Sequence, residues 1–460
     1  MLAVYFFLLP DSGGYNTWLI VLFSAVVLEM TLISVLRKWA NGIVIQPIDC
    51  LKLSVFIYIF ISFLTSLHEL RTGVQIEDQL AVREENMLVS LMVIIVFLVG
   101  LMLPRLILKR DPVYVKQINP RSFAFTITNI KLMYVLAALS SIINVYLILS
   151  GYSGYGTFEE HTTGQFSFLL QISGNLSVFF LSFFSILKFI LAYKSRTLNF
   201  FFLLVFIIEL SRGLISGMKE NIIISLLILG IPYMLSRRKV PFQVIIPAII
   251  AVLLLFPFNN NYRDVLNTYN GIDKRAAIVL AIKQTGENDF LENLTKGSDS
   301  YSNRSSFFPH LHYAIANESQ WQEYKHMDRY VYLPVAWIAP RFLIPDKPIA
   351  NTGAKYNYML YGFETNSMTV TTLGWSYFEG GIWFVFVCGF LLGFVLVKIS
   401  DILDIRYSIL GLLLYIKLIV VCLKIESDPY FIISGILQSL LIYYILSKIF
   451  IIKSDVAHSA

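Results

Sequence analysis

Apolar residues gather in runs of near membrane-spanning length from one end of this chain to the other. The runs are Trp18–Leu36, Leu51–Leu67, Leu88–Leu103, Leu132–Leu149, Phe168–Ile190, Phe200–Leu214, Ile222–Leu235, Val244–Phe256, Ile382–Val397, Ile409–Val421 and Phe431–Leu446. With the shorter ones extended into their flanks, they predict about eleven transmembrane helices at roughly 17–25 residues each. The stretch from Phe200 to Leu235 is interrupted by Glu209, Arg212, Lys219, Glu220 and two glycines, so it predicts a broken or short helix pair. One long region stays outside the lipid core. The chain therefore divides into residues 1–257 with helices 1 to 8, residues 258–381 as a large loop, and residues 382–460 with helices 9 to 11 and a short tail. Within the loop, Tyr330-Val-Tyr-Leu-Pro-Val-Ala-Trp-Ile-Ala-Pro340 is apolar, aromatic and too short to span, which predicts an element returning to the membrane interface. The fold class is an all-α polytopic membrane protein.

Lysine and arginine set the expected orientation. The odd-numbered connections are basic: Arg37 and Lys38, then Lys109, Arg110, Lys116 and Arg121, then Lys194 and Arg196, then Arg237, Arg238 and Lys239, then Lys398 and Arg406. The short even-numbered ones carry little net positive charge. This places the N-terminus outside, the C-terminus in the cytoplasm and residues 258–381 on the outer face. Composition agrees: 57% of residues are hydrophobic and 14% charged, against roughly 25% charged in a soluble domain. A cytosolic enzyme, a nucleic-acid-binding module and a secreted disulfide scaffold are excluded. The formal net charge of +6 belongs to membrane orientation and not to nucleic acid. Cys50, Cys388 and Cys422 lack CxxC spacing and are expected to be packing residues. The opening MLAVYFFLLP, followed by DSGG, lacks the pattern of a cleaved signal peptide.

Candidate chemistry gathers on the expected outer face. Arg263 follows Phe256-Pro-Phe by a short Asn-Asn-Asn-Tyr262 linker, and Arg304 precedes Phe-Phe-Pro309-His310. Guanidinium groups at the membrane boundary suit a diphosphate, because arginine makes bidentate contacts with phosphate and stays charged. Lys219 lies in Ser216-Gly-Met-Lys-Glu-Asn-Ile-Ile-Ile224, where the following helix directs its first amides to the same face. An intramembrane ionisable residue is a functional hypothesis by default; the competing reading is a side chain snorkelling to the interface. Glu209 and Arg212, three apart, are expected to neutralise each other. Candidate acids and bases are Asp264, His310, His312, His326, Glu379, Glu426 and Asp428, although Glu379 and Asp428 also suit helix N-termini. His310 and His312 are two residues apart and do not share a helical face, a weak metal signal. No GxSxG, Walker, HExxH or DxD pattern occurs.

The order of these segments resembles the Wzy-type O-antigen and oligosaccharide repeat-unit polymerases, a family that includes the enterobacterial common antigen polymerase. The run through Lys219 resembles the family's Gly-Gly-x-Arg-x-Asn motif, with lysine at the arginine position and hence without the bidentate fork. Tyr262-Arg263 resembles a basic-aromatic pair after the next span, and Asn303-Arg304-Ser305 with Pro309 a loop arginine. Leu333 to Pro348, which contains Trp337, Arg341 and Lys347, resembles a tryptophan-bearing stretch ending in Pro-x-(Arg/Lys)-Pro. Gly374 to Gly381 resembles the link into the following span.

The resemblance implies a GT-C-like glycosyltransferase of the bacterial inner membrane. It joins undecaprenyl-diphosphate-linked oligosaccharide repeats, donor and acceptor both, in O-antigen, capsule or exopolysaccharide synthesis, and releases the lipid diphosphate. Catalytic roles are expected of Arg304, Arg263, His310, Glu379 and Asp428, with the base open among the last three. Diphosphate or glycan binding is expected of Lys219, Arg341, Lys347, Tyr262, Trp337 and Tyr356. No metal and no cofactor is required, and the implied partners are membrane lipid, a chain-length-regulating co-polymerase and a flippase. One rival reading is an O-antigen ligase that hands the glycan to lipid A core. A second is a lipid-linked glycan flippase, for which ionisable groups along several spans and inverted repeats are expected.

Overall fold

The computed structural model describes residues 15–72, 84–108, 112–118, 123, 125–150, 152, 165–216, 219–237, 257–266, 268–269, 272–287, 289, 291–293, 295–296, 307–324, 330–331, 333, 352–362, 368–402 and 404–453. Among these, nine helices are long and apolar enough to cross a membrane: α1 (Trp18–Ala40), α2 (Pro47–Leu67), α3 (Asn86–Ile107), α4 (Ile130–Leu149), α5 (Ile172–Ile190), α6 (Arg196–Ile215), α7 (Glu220–Arg237), α11 (Thr371–Ile402) and α13 (Pro429–Phe450). The chain is thus a multi-pass membrane protein, since a backbone in lipid must satisfy its own hydrogen bonds. The expected tenth span is a shorter apolar helix, α12 (Ile409–Cys422), and the expected span at Val244–Phe256 lies outside the described residues. Among the described residues, the long loop also contributes helices, including α8 (Lys274–Gly286), α9 (Phe308–Ala316) and α10 (Thr352–Tyr361).

The first and third basic connections meet at one end of the bundle. Ile43 bridges Tyr114, Val44 N–H donates to Val113 at 2.8 Å and Val115 N–H to Gly42 at 3.0 Å. Strand β1 (Phe125–Ile127) pairs antiparallel with β2 (Ile451–Lys453), with Thr126 opposite Ile452. The first and third connections and the C-terminal segment therefore share a side, as the charge pattern predicts.

The most extensive helix pair is α3 with α11, and glycines set its separation. A Cβ on Gly389 would fall 2.5 Å from the Phe97 carbonyl oxygen, and one on Gly100 would fall 2.5 Å from that of Phe386. One on Gly393 would meet the Leu101 carbonyl closer still. Lipid offers no hydrophobic drive for helices to associate, so close van der Waals approach across small residues supplies it. Gly389 and Gly393 are four apart and form one GxxxG edge.

Helix α11 has 32 residues, more than the roughly 20 a bilayer needs. It breaks at Gly380 and Gly381, the latter at φ 64° and ψ −159°, a backbone state open to glycine and strained for other residues. Residues 382–402 form the span, and Thr371 to Glu379 form a separate buried turn of helix above it.

Replacing Gly389 or Gly393 by leucine forces the two backbones apart, at a cost of about 1–3 kcal/mol or more. Size-exclusion profiles in mild detergent should show loss of the monodisperse species for both variants. Gly230→Ala in α7, where an added Cβ meets nothing within 4 Å, should leave the profile unchanged.

Candidate functional site

The long loop does not stay clear of the bundle, because α9 enters it against α2, α3 and α11. Its sequence is apolar and begins with Pro309 at an N-terminal position, where the missing amide costs nothing. A helix leaves its first amides unpaired, and α2 receives two around the start of α9. Phe307 N–H donates to the Tyr58 carbonyl at 3.3 Å and Phe308 N–H to Ser62 Oγ at 3.1 Å. Tyr58 lies in the stretch of α2 that is π-helical over Val55–Phe60, a local irregularity often found at functional sites. Phe308 then packs edge-on against Phe63, 5.0 Å between centroids.

This docking buries both histidines of α9, which face different neighbours as their two-residue spacing requires. His312 Nδ1 lies 3.5 Å from Ser90 Oγ on α3, at the outer limit of a hydrogen bond. His310 Nδ1 lies 2.9 Å from the Tyr356 hydroxyl of α10. Tyr356 is 0% exposed and belongs to an aromatic cluster with Trp321, Trp375 and Phe378. Burial pushes the His310 pKa down to about 4 and holds the Tyr356 hydroxyl well above its ordinary value. At neutral pH the pair is therefore an uncharged imidazole bonded to a protonated phenol.

Glu379 is buried one helical turn beyond Trp375, so it shares the helix that lines the Tyr356 pocket. Asp428 is also buried but is occupied as the cap of α13, accepting from Tyr430 N–H at 2.9 Å. Its neighbours lock onto the same helix, for Thr372 Oγ1 donates to the Ser427 carbonyl at 2.7 Å. Thr371, at φ 68°, occupies a backbone region costly for a β-branched residue, beside these bonds. The structure thus brings His310, Tyr356 and the Glu379 helix together and ties Asp428 to that helix's start.

Other expected site residues fall elsewhere. Tyr262 is fully buried in a small core with Val265, Ala277 and Ala281, where burial and the nearby Asp273 push its phenol up to about 12. Arg263 is partly exposed on the helix over residues 257–266. Lys219 opens the helix Lys219–Arg237, its side chain outside the described set. Arg304, Trp337, Arg341 and Lys347 lie outside the described residues, as does most of the expected interface element at 330–340.

A second polar group lies where α5, α6, α7 and α12 meet, and the sequence reading largely missed it. Glu209 and Arg212 pair at 2.9 Å, both nearly buried, as their spacing predicts. Arg212 Nη2 also reaches Asn221 Oδ1 at 3.4 Å. Lys417, inside the apolar run of α12, donates to Asn175 Oδ1 at 3.3 Å and lies within electrostatic reach of Arg212, Lys424 and Glu220. Lys424 and Glu220 form an ion pair at the more open end. The signal for Lys417 was present as a lone cation within an apolar span.

Beyond the end of α6, Ser211, Leu214 and Ile215 face Phe258, Ile278, Ile282 and Thr285 across an open, mainly apolar cavity of about 570 Å³. Among the described residues no three or more His, Cys, Asp or Glu side chains converge as metal ligands.

The His310 pair predicts a pH dependence of stability. The folded pKa lies below the unfolded value of about 6.5, so the unfolded chain binds the extra proton first. Stability contributed by neutral His310 is fully present above about 6.5 and falls as pH drops toward 4. Thermal unfolding between pH 7 and 4.5 should show that decline, and His310→Gln should flatten it.

No curated protein and no solved structure matches this chain. One family model does, over residues 123–456, which takes in every helix from α4 to α13 and both groups above. The chain belongs to the family described as a domain of unknown function, DUF8712.

Proposed function

We propose that this chain is a glycosyltransferase of the bacterial inner membrane that joins lipid-diphosphate-linked oligosaccharide repeats on the outer face. The observation that carries the reading is the gathering of Arg212, Lys417 and Lys424 where α6, α7 and α12 meet, with Glu209 paired to Arg212 and Glu220 to Lys424. Charges cost several kcal/mol to hold within a bilayer and mark functional sites. A cationic group there suits the head of a lipid diphosphate, and the apolar cavity beyond α6 suits a prenyl chain. The cations and the His310 pair are linked through the chain, for Ile425, next to Lys424, accepts from Thr372 N–H at 2.7 Å, and Trp375 on that helix touches Tyr356.

In the reaction, the bond from the sugar anomeric carbon to the diphosphate oxygen breaks, and a bond to an acceptor hydroxyl forms. The lipid diphosphate departs with its negative charge held by Arg212, Lys417 and Lys424, joined by Lys219, Arg263, Arg304, Arg341 and Lys347 from the outer segments. The acceptor proton passes to His310. In the tautomer that donates Nδ1–H to Tyr356, Nε2 keeps its lone pair, as a base requires, and Tyr356 fixes the ring. Neutral His310 at pH 7 suits this role, whereas Asp428 is committed to its helix cap. The N-terminus lies outside and the C-terminus in the cytoplasm, following the basic connections.

Purified protein incubated with lipid-linked repeats in EDTA, without nucleotide sugar, should build a glycan ladder readable by mass. Lys417→Gln and Arg212→Lys should each lower the rate about 10²–10³-fold, the scale for removing one stabilising donor. His310→Gln should lower it about 10²–10⁴-fold. Transfer to lipid A core without a ladder would favour the ligase, and transport without a new glycosidic bond would overturn the enzyme reading.

A further inference from the structure

A third charged group lies at the opposite end of the bundle, where the first and third basic connections meet, and the glycosyl-transfer reading makes no use of it. Asp49, 0% exposed, is the third residue of α2. Its Oδ2 accepts from Gln46 N–H at 3.1 Å to close the start of that helix. Its Oδ1 serves Lys38 of α1 as an ion pair and lies 4.0 Å from Arg105 Nη1 of α3. Lys52, 2% exposed, donates to Ser34 Oγ and lies within electrostatic reach of Lys38, Asp49 and Arg105. Glu29, also in reach, pairs with Arg37 on the rim at 3.1 Å and adds no net charge. Three cations therefore face one inward carboxylate among the described residues.

Held at low dielectric, such an excess of cations favours a further anion beside it. The site is reachable, because the Lys38 and Arg105 side chains keep 20% and 22% of their exposure. The residues beside them in sequence, Trp39, Leu106 and Ile107, are exposed and apolar. Cations recessed between two helix ends, with an aromatic and aliphatic surface beside them, match a phospholipid headgroup with its acyl chains alongside.

We infer that Lys38, Lys52 and Arg105 form a binding site for the phosphate of one anionic phospholipid in the leaflet at the basic end. The lipid would tie the end of α1 to that of α3.

The test is thermal unfolding of the delipidated full chain in a neutral detergent. Phosphatidylglycerol should raise the melting temperature by about 2–6 °C, while phosphatidylcholine and inorganic phosphate should not. Arg105→Gln and Lys52→Gln should each remove the shift, and Lys116→Gln, an exposed cation at the same end, should keep it. Native mass spectrometry of the unmodified chain should show one retained phosphatidylglycerol, a readout that survives if the variants fail to fold. Equal stabilisation by phosphatidylcholine, an equal effect of inorganic phosphate, a shift that persists in both glutamine variants, or no retained lipid would each overturn the site.

Discussion

The contact on which the rest of this structure depends is the backbone-to-backbone approach of α3 and α11 across Gly100, Gly389 and Gly393. In lipid, side chains gain little by leaving the solvent, so a bundle coheres through close packing and internal hydrogen bonds. Three positions without a side chain let the two spans meet at a separation no other residue permits. That contact fixes the direction of α11 up to Gly380 and Gly381, and so fixes the buried helix carrying Trp375, Phe378 and Glu379. It also sets the wall of α3, including Ser90, against which His312 rests.

On that frame, α9 finds its place through hydrogen bonds more than through apolar area. Its leading amides are satisfied by the Tyr58 carbonyl, in the π-helical stretch of α2, and by Ser62. This matters energetically because an unpaired amide inside the bundle costs a few kcal/mol. Once α9 is seated, burial keeps His310 neutral, held by Tyr356. A base that is dry, neutral and oriented is the state a proton acceptor needs before substrate arrives. In the proposed reaction, Arg212, Lys417 and Lys424 are the complementary half that holds the departing anion.

Much of this was legible in the sequence, and the reasons for the remainder are physical. The apolar runs foretold the spans because helices satisfy their own backbone in lipid, and the lysine and arginine pattern foretold which connections meet. The pairing of Glu209 with Arg212 followed from their spacing, and the capping role of Asp428 from its place before Pro429. The entry of α9 was not legible, because Phe308 to Ala316 is too short to read as a span and its dock is a bulge in α2 that leaves no mark in composition. The partnership of His310 with Tyr356 joins residues 46 apart through two loop helices, a pairing no local pattern carries. Lys417 was readable as a charge within an apolar run and gained meaning only when α12 was set against α5.

The seating of α9 inside the bundle is the claim most open to a direct measurement, which is disulfide formation between Ser90→Cys and His312→Cys in native membranes. The contact of 3.5 Å between the native side chains predicts that mild oxidant joins α3 to the loop rapidly and that a membrane-impermeant maleimide does not reach the His312→Cys thiol. Prompt labelling of that thiol from the aqueous phase, with no cross-link formed, would place α9 in the open loop and would remove His310 from a buried site.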